Sequence, residues 1–133
     1  MEKRNIWKNV PAPLELHVDD RGDIVDVFYQ QNIQHVAVIR SRKGMIRGHH
    51  FHRQTEQWML ILSGALEYWW KPAGEDVPWK MAVAEPGDLI YTPPNEIHAL
   101  KIIAENSFMA FTKGLRGGMD YEKDTFRVKT EIF

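Results

Sequence analysis

The chain has 133 residues, 44% hydrophobic and 26% charged, with 17 Lys and Arg against 18 Asp and Glu for a net charge of −1. A chain of this size supports one core, and its charge balance excludes a general attraction to nucleic acid or to an anionic membrane surface. It has no cysteine, which rules out disulfides, thiolate metal sites and a thiol nucleophile. The opening MEKRNIWKNV lacks the apolar stretch of a signal peptide, and the longest apolar run, Trp58 to Leu62, falls far short of the roughly 20 residues of a membrane helix. The expectation is a cytoplasmic protein with a small-molecule ligand, no nucleic acid and no membrane.

Residues 1 to 13 end in Val-Pro-Ala-Pro, which cannot continue a regular element. Leu14 to Val18 alternates apolar and polar and predicts a half-buried strand. After the turn residues Asp19 to Asp23, Ile24 to Tyr29 is rich in β-branched and aromatic residues, and His35 to Arg40 predicts a further strand. Met45 to His52, Glu56 to Leu62 and Ala65 to Lys71 follow, the last two separated by a Ser63-Gly64 turn. Strands are then expected at Trp79 to Ala84, Leu89 to Thr92, Ile97 to Ile103 and Ser107 to Thr112, divided by Pro, Gly and Asn. From Lys113 onward no period is visible, and that tail is expected to run along the outside or to contact a partner chain. About ten short strands with no convincing helix define an all-β barrel or sandwich. A single domain over 1–133 is the reading, with a core at about 14–112 and an extension at 113–133.

Chemistry concentrates between Gly44 and Gly64. His50 and His52 are spaced i, i+2, so on a strand both imidazoles share a face, and Glu56 opens the next strand. His98 is the candidate for a further ligand. Imidazole with carboxylate suits one divalent transition metal: Zn, Fe(II), Mn, Ni or Co.

Two motifs in this stretch resemble the cupin superfamily. The first is Gly, five residues, His-x-His, three or four residues, Glu, six residues, Gly. Gly44, His50, His52, Glu56 and Gly64 follow that order, with seven residues before the last glycine in place of six. The second is Gly, five residues, Pro-x-Gly, two residues, His, three residues, Asn. Gly87, Pro93 and His98 match it, while Asn95 stands at the second glycine and Ile102 at the final Asn. Asn is the residue other than glycine that best tolerates positive φ. The resemblance implies a cupin double-stranded β-helix, or jelly-roll barrel, whose His50, His52, Glu56 and His98 bind one metal. It also implies a homodimer. His49 is expected to face away from His50.

Asp-Asp-Arg-Gly at 19–22 with Gly-Met-Ile-Arg-Gly-His-His-Phe-His at 44–52 is similar to cupins that act on nucleotide sugars. These are the 4-ketosugar 3,5-epimerases, the 3,4-ketoisomerases and the C-terminal cupin domain of capsular-polysaccharide reductases. The His-x-His with a downstream Glu resembles the capsular type most closely, whereas the epimerases carry Gln at the position of His52 and need no metal. This implies an isomerase or epimerase acting on a nucleotide-linked ketosugar in deoxysugar or polysaccharide biosynthesis. Such a reaction removes a proton beside a ketone, so it needs a base and a group that stabilises the oxyanion. His50 serves as base if it holds no metal; Tyr91, Tyr68 or a metal-bound water serves otherwise. Arg47 is the principal candidate for the phosphates, with Arg40 and Arg21 behind it, because a guanidinium fork matches phosphate geometry. Tyr68 and Trp70 are the expected substrate contacts, and Trp58 and Trp69 further stacking surfaces. The competing readings are an Fe(II)-dependent dioxygenase and a non-catalytic module that binds a sugar or small acid; fold alone does not separate them.

Overall fold

The computed structural model describes residues 1–114 and 118–128. In chain order the strands are β1 (Glu2–Asn5), β2 (Leu16–Asp19), β3 (Gly22–Val25), β4 (His35–Ser41), β5 (Ile46–Phe51), β6 (Glu56–Pro72), β7 (Lys80–Ala84), β8 (Asp88–Thr92) and β9 (Glu96–Lys113). A 3-10 turn at Gly118–Asp124 and a short β10 at Phe126–Arg127 close the described chain. Eight strands form one sheet with order β1-β8-β6-β9-β5-β10, β4 joining β9 and β7 joining β6, while β2 and β3 make a separate hairpin. The result is the all-β sandwich that the turn spacing predicts, in the jelly-roll form that the resemblance implied.

Two expected turns are absent because long strands run through them. β6 continues across Ser63-Gly64, and the break shows instead as register shifts against β9 between Ile61 and Leu66. β9 likewise fuses the two strands expected at 97–103 and 107–112. Each long strand serves two partners: β6 pairs β8 near its start and β7 near its end, and β9 pairs β5 and then β4. β1 was not expected, since Glu-Lys-Arg-Asn has no apolar alternation. It forms by pairing along the edge of β8, from Glu2 opposite Tyr91 to Asn5 opposite Asp88.

Period-2 alternation along β6 sorts its side chains onto two faces. Met59, Ile61, Leu66 and Tyr68 enter the main core with Ile90, Leu100, Ile102 and Phe108. Leu60 joins Ile6 and Leu89 on the other face, with Trp58, Phe28 and Phe111 packed against them. Phe28 meets Trp58 and Phe111 edge-on, at ring centroids of 5.5 and 4.8 Å. β3 ends at Val25, and Asp26 still closes the open end of the hairpin, its N–H donating to the Glu15 carbonyl at 2.9 Å and its carboxylate accepting from the Glu15 N–H at 2.9 Å. No helix among the described residues is long and apolar enough to cross a membrane.

Candidate active site

The site is set by a bulge in β5. Gly48 pairs with Ala99 and His50 pairs with His98, so His49 is the extra residue of the bulge, its carbonyl accepting from the Val128 N–H at 2.8 Å. Gly48 and His49 both take positive φ, +86° and +58°. Side-chain freedom at Gly48 is excluded by close approach: an added Cβ would stand 2.7 Å from the His98 carbonyl oxygen. We expect Gly48→Ala to cost about 2–3 kcal/mol in urea unfolding, from the left-handed backbone and the displaced His98 strand together. The bulge leaves His50 directly opposite His98, ring centroids 4.6 Å apart, with His52 4.9 Å from His50. Their ligand atoms all lie within 4.8 Å of one another.

The tautomers follow from the partners. His52 Nδ1 lies 2.7 Å from the Asp124 carbonyl oxygen, and His98 Nδ1 lies 3.2 Å from that of Glu96. A carbonyl only accepts, so each Nδ1 carries the proton and each Nε2 the lone pair. This is how ligating histidines are commonly oriented. His98 is buried and its ring lies parallel to that of Tyr68. Burial, with the neighbouring His52, pushes its pKa down from 6.5 to about 4. A folded pKa below the unfolded one means that the unfolded chain binds the extra proton first. The metal-free protein is therefore expected to lose roughly 3 kcal/mol of stability as pH falls from 6.5 to about 4, and His98→Gln to remove much of that dependence in pH-resolved melting curves.

The acid of the predicted metal set stands elsewhere. Glu56 is not in the histidine group; its carboxylate accepts a 2.7 Å hydrogen bond from Tyr91 and lies 3.7 Å from the Lys113 ammonium. Alternation gives the reason: Glu56 shares a face with Trp58 and Leu60, opposite to the one Met59 presents to the core. Gln57 is the β6 residue that lines the histidine cavity. Counting four residues after His52 and six before Gly64 lands on Gln57, so the seven-residue gap in the motif was the signal for this shift. Tyr91, opposite Trp58 in register, lies on the Glu56 face as well and is not among the residues lining the cavity. Burial and the Glu56 carboxylate push its phenol well above the ordinary value, so it holds its proton rather than acting as a base.

The remaining expectations divide. Arg47 lines the cavity, with Nε bonded to Ser41 Oγ at 2.7 Å and Nη2 to the Arg40 carbonyl at 3.2 Å. The Arg40 side chain is exposed and does not line it. Arg21 pairs with Asp19 at the tip of the exposed hairpin. Tyr68 is fully buried, its hydroxyl bonded to Thr92 and Glu96. Trp70 neighbours His98 across β9 but lines a different cavity, of about 550 Å³, with Lys71 and Pro93. Asn95 has φ +63°, as its place at a motif glycine required.

The C-terminal arm, a tail expected to run along the outside or to contact a partner chain, pairs with β5 at Phe126–Arg127. The Asp124 carboxylate accepts backbone N–H groups from Arg53, Gln54 and Thr55 at 2.8–3.0 Å, and the Thr55 hydroxyl at 2.7 Å. Phe126 pairs with Phe51 and Arg127 with His50, extending the sheet beside the histidines. Arg127, His50, His98 and Trp70 thus sit in one row across β10, β5, β9 and β6. Of these, Arg127, His50 and His98 border a cavity of about 330 Å³ whose walls include Ile39, Met59, Leu100 and Phe108.

The fold is a cupin-type jelly roll, shared with solved structures of a sugar 3,4-ketoisomerase and a 3,5-epimerase. The sequence profile of the polysaccharide biosynthesis C-terminal domain matches residues 17–114, and the chain belongs to that family. No curated protein matches it. QdtA, a sugar 3,4-ketoisomerase from Thermoanaerobacterium thermosaccharolyticum in complex with TDP, is 18% identical with a TM-score of 0.69 over 87% of this chain and 85% of that one. The dTDP-4-dehydrorhamnose 3,5-epimerase from Sulfolobus tokodaii is 16% identical, with a TM-score of 0.66 over 85% and 80%. The capsular polysaccharide assembling protein CapF from Staphylococcus aureus is 18% identical, with a TM-score of 0.64 over 89% of this chain and 35% of that one.

Proposed function

We propose that the chain is a sugar isomerase or epimerase that acts on a nucleotide-linked ketosugar in polysaccharide biosynthesis. The observation that carries this reading is the cavity itself, where His50 and His98 meet Arg47 and Gln57 between apolar walls. His50 accepts the proton from the carbon beside the ketone, leaving an enolate. Arg47 and Gln57 line the same cavity and supply N–H donors to the developing oxyanion. Ile39, Met59, Leu100 and Phe108 limit water around the anion, which strengthens those interactions. Return of the proton to the other face, or to a neighbouring carbon, completes an isomerisation with no net change in atoms. The Nδ1–H of His98 is held by the Glu96 carbonyl and keeps that ring in place.

His50, His52 and His98 fit a divalent metal by their spacing, and His52 and His98 also by their tautomers; the three would be its protein ligands. Bound there, Zn, Mn, Ni, Co or Fe(II) supplies a Lewis acid for the ketone oxygen. Ligation of His50 would end its role as base. The same reading includes a homodimer, for which the exposed Val36 and Val38 on β4 supply an apolar strip; analytical ultracentrifugation of wild type against a Val36→Lys, Val38→Lys chain tests it.

NMR of TDP-4-keto-6-deoxyglucose incubated with the protein should show a new ketosugar, and His50→Ala should slow its formation by roughly 10²-fold or more. Saturable binding without turnover would favour the sugar-binding module instead.

A further inference from the structure

Resting on that function, we infer that Arg127 and Arg47 form an anion clamp across the histidine cavity, and that Glu122 holds Arg127 until a phosphate-bearing ligand displaces it. Both arginines line the one cavity, Arg47 on β5 and Arg127 on β10, which pairs with β5. No acid is among the cavity's described lining residues. Two like charges beside one hollow repel, and the repulsion is relieved by an anion bound between them. Neither the imidazoles of His50 and His98 nor the Gln57 amide supplies a negative charge to the cavity.

The two arginines are held differently. Arg47 is fixed from behind by Ser41 and the Arg40 carbonyl through Nε and Nη2, and neither bond uses Nη1. Arg127 instead donates twice to Glu122, Nη1 to Oε2 at 2.8 Å and Nη2 to Oε1 at 2.9 Å. That two-pronged pairing is the one a phosphate accepts from a guanidinium. Glu122 is therefore a carboxylate stand-in on the same arm. Both side chains of the pair are about 60% exposed, at 61% and 60%, so the exchange is cheap: an exposed ion pair is worth little in water. Phe126 stacked on Phe51, and Arg53 over the Phe126 ring at 4.2 Å, keep the strand docked while the Arg127 head moves. The ligand class is a nucleoside diphosphate or another compact polyanion.

Titration calorimetry of the full chain with inorganic pyrophosphate and with TDP tests the clamp. Arg127→Gln is expected to weaken both by roughly tenfold or more, the scale of a lost charge-assisted hydrogen bond. Glu122→Gln is expected to tighten both several-fold, a direction that misfolding does not produce. Equal affinity in wild type and both variants would overturn the clamp, as would weaker binding in Glu122→Gln. The failures are separable: turnover of a nucleotide ketosugar that neither substitution alters removes the clamp and leaves the enzyme. Pyrophosphate binding that follows these variants without turnover removes the enzyme and leaves the clamp.

Discussion

Asp124→Ala is expected to lose about 3–5 kcal/mol of unfolding free energy, among the largest effects of any single side chain outside the apolar core. The carboxylate is buried and satisfies four donors of the β5–β6 turn: the N–H groups of Arg53, Gln54 and Thr55, and the Thr55 hydroxyl. Removing it strands them together, and each buried donor without a partner costs about 1–3 kcal/mol, offset by whatever water enters. Asp124→Asn keeps one acceptor oxygen and should fall between the two. Burial raises the Asp124 pKa, but the bonds from Thr55, Arg53 and Gln54 outweigh it and hold the group below its usual 3.8. A depressed folded pKa contributes stability above the unfolded value and loses it as pH falls through the folded one. Acid unfolding should therefore be less steep in Asp124→Asn than in wild type below pH 3.8. An Asp124→Ala chain that melts within 1 kcal/mol of wild type would mean the arm does not cap this turn in solution.

The second large effect is expected at Gln57. Gln57→Glu places a carboxylate in the cavity with His50 and His98, and divalent metal affinity should rise on the order of 10²-fold in competition titrations with Zn. Turnover should fall in the same variant, because a fixed anion opposes the developing oxyanion. Glu56→Gln should leave metal affinity unchanged, since its contacts are Tyr91 and Lys113. The reverse pattern, metal lost with Glu56 and indifferent to position 57, would place the two residues on the wrong faces of β6.

That pair shows how far the sequence could be read. The residue types marked the site well: His50, His52 and His98 meet as their spacing and motif suggested. Choosing Glu56 followed the expectation of an acid, while the face of β6 is decided by register, and Gln57 satisfies the motif spacing with a residue type the motif does not name. Tyr91 stands outside the cavity for the same reason: one step along β8 puts Thr92 and Ile90 on the core side and Tyr91 on the other. β1 and the arm were illegible because their strand state comes from a partner edge rather than from their own pattern. Gly48 was noted as a motif residue, but its work, passing under the His98 carbonyl, appears when two distant strands are brought together.

The central claim is that this cavity removes a proton from the carbon beside a ketone. Wild-type protein, TDP-4-keto-6-deoxyglucose and D₂O, followed by proton NMR, test it directly. Loss of the proton signal is expected at a carbon adjacent to the ketone, at a rate that His50→Ala lowers by roughly 10²-fold or more and Tyr91→Phe leaves largely intact. Full retention of every carbon-bound proton, under conditions where TDP saturates the protein, would contradict it.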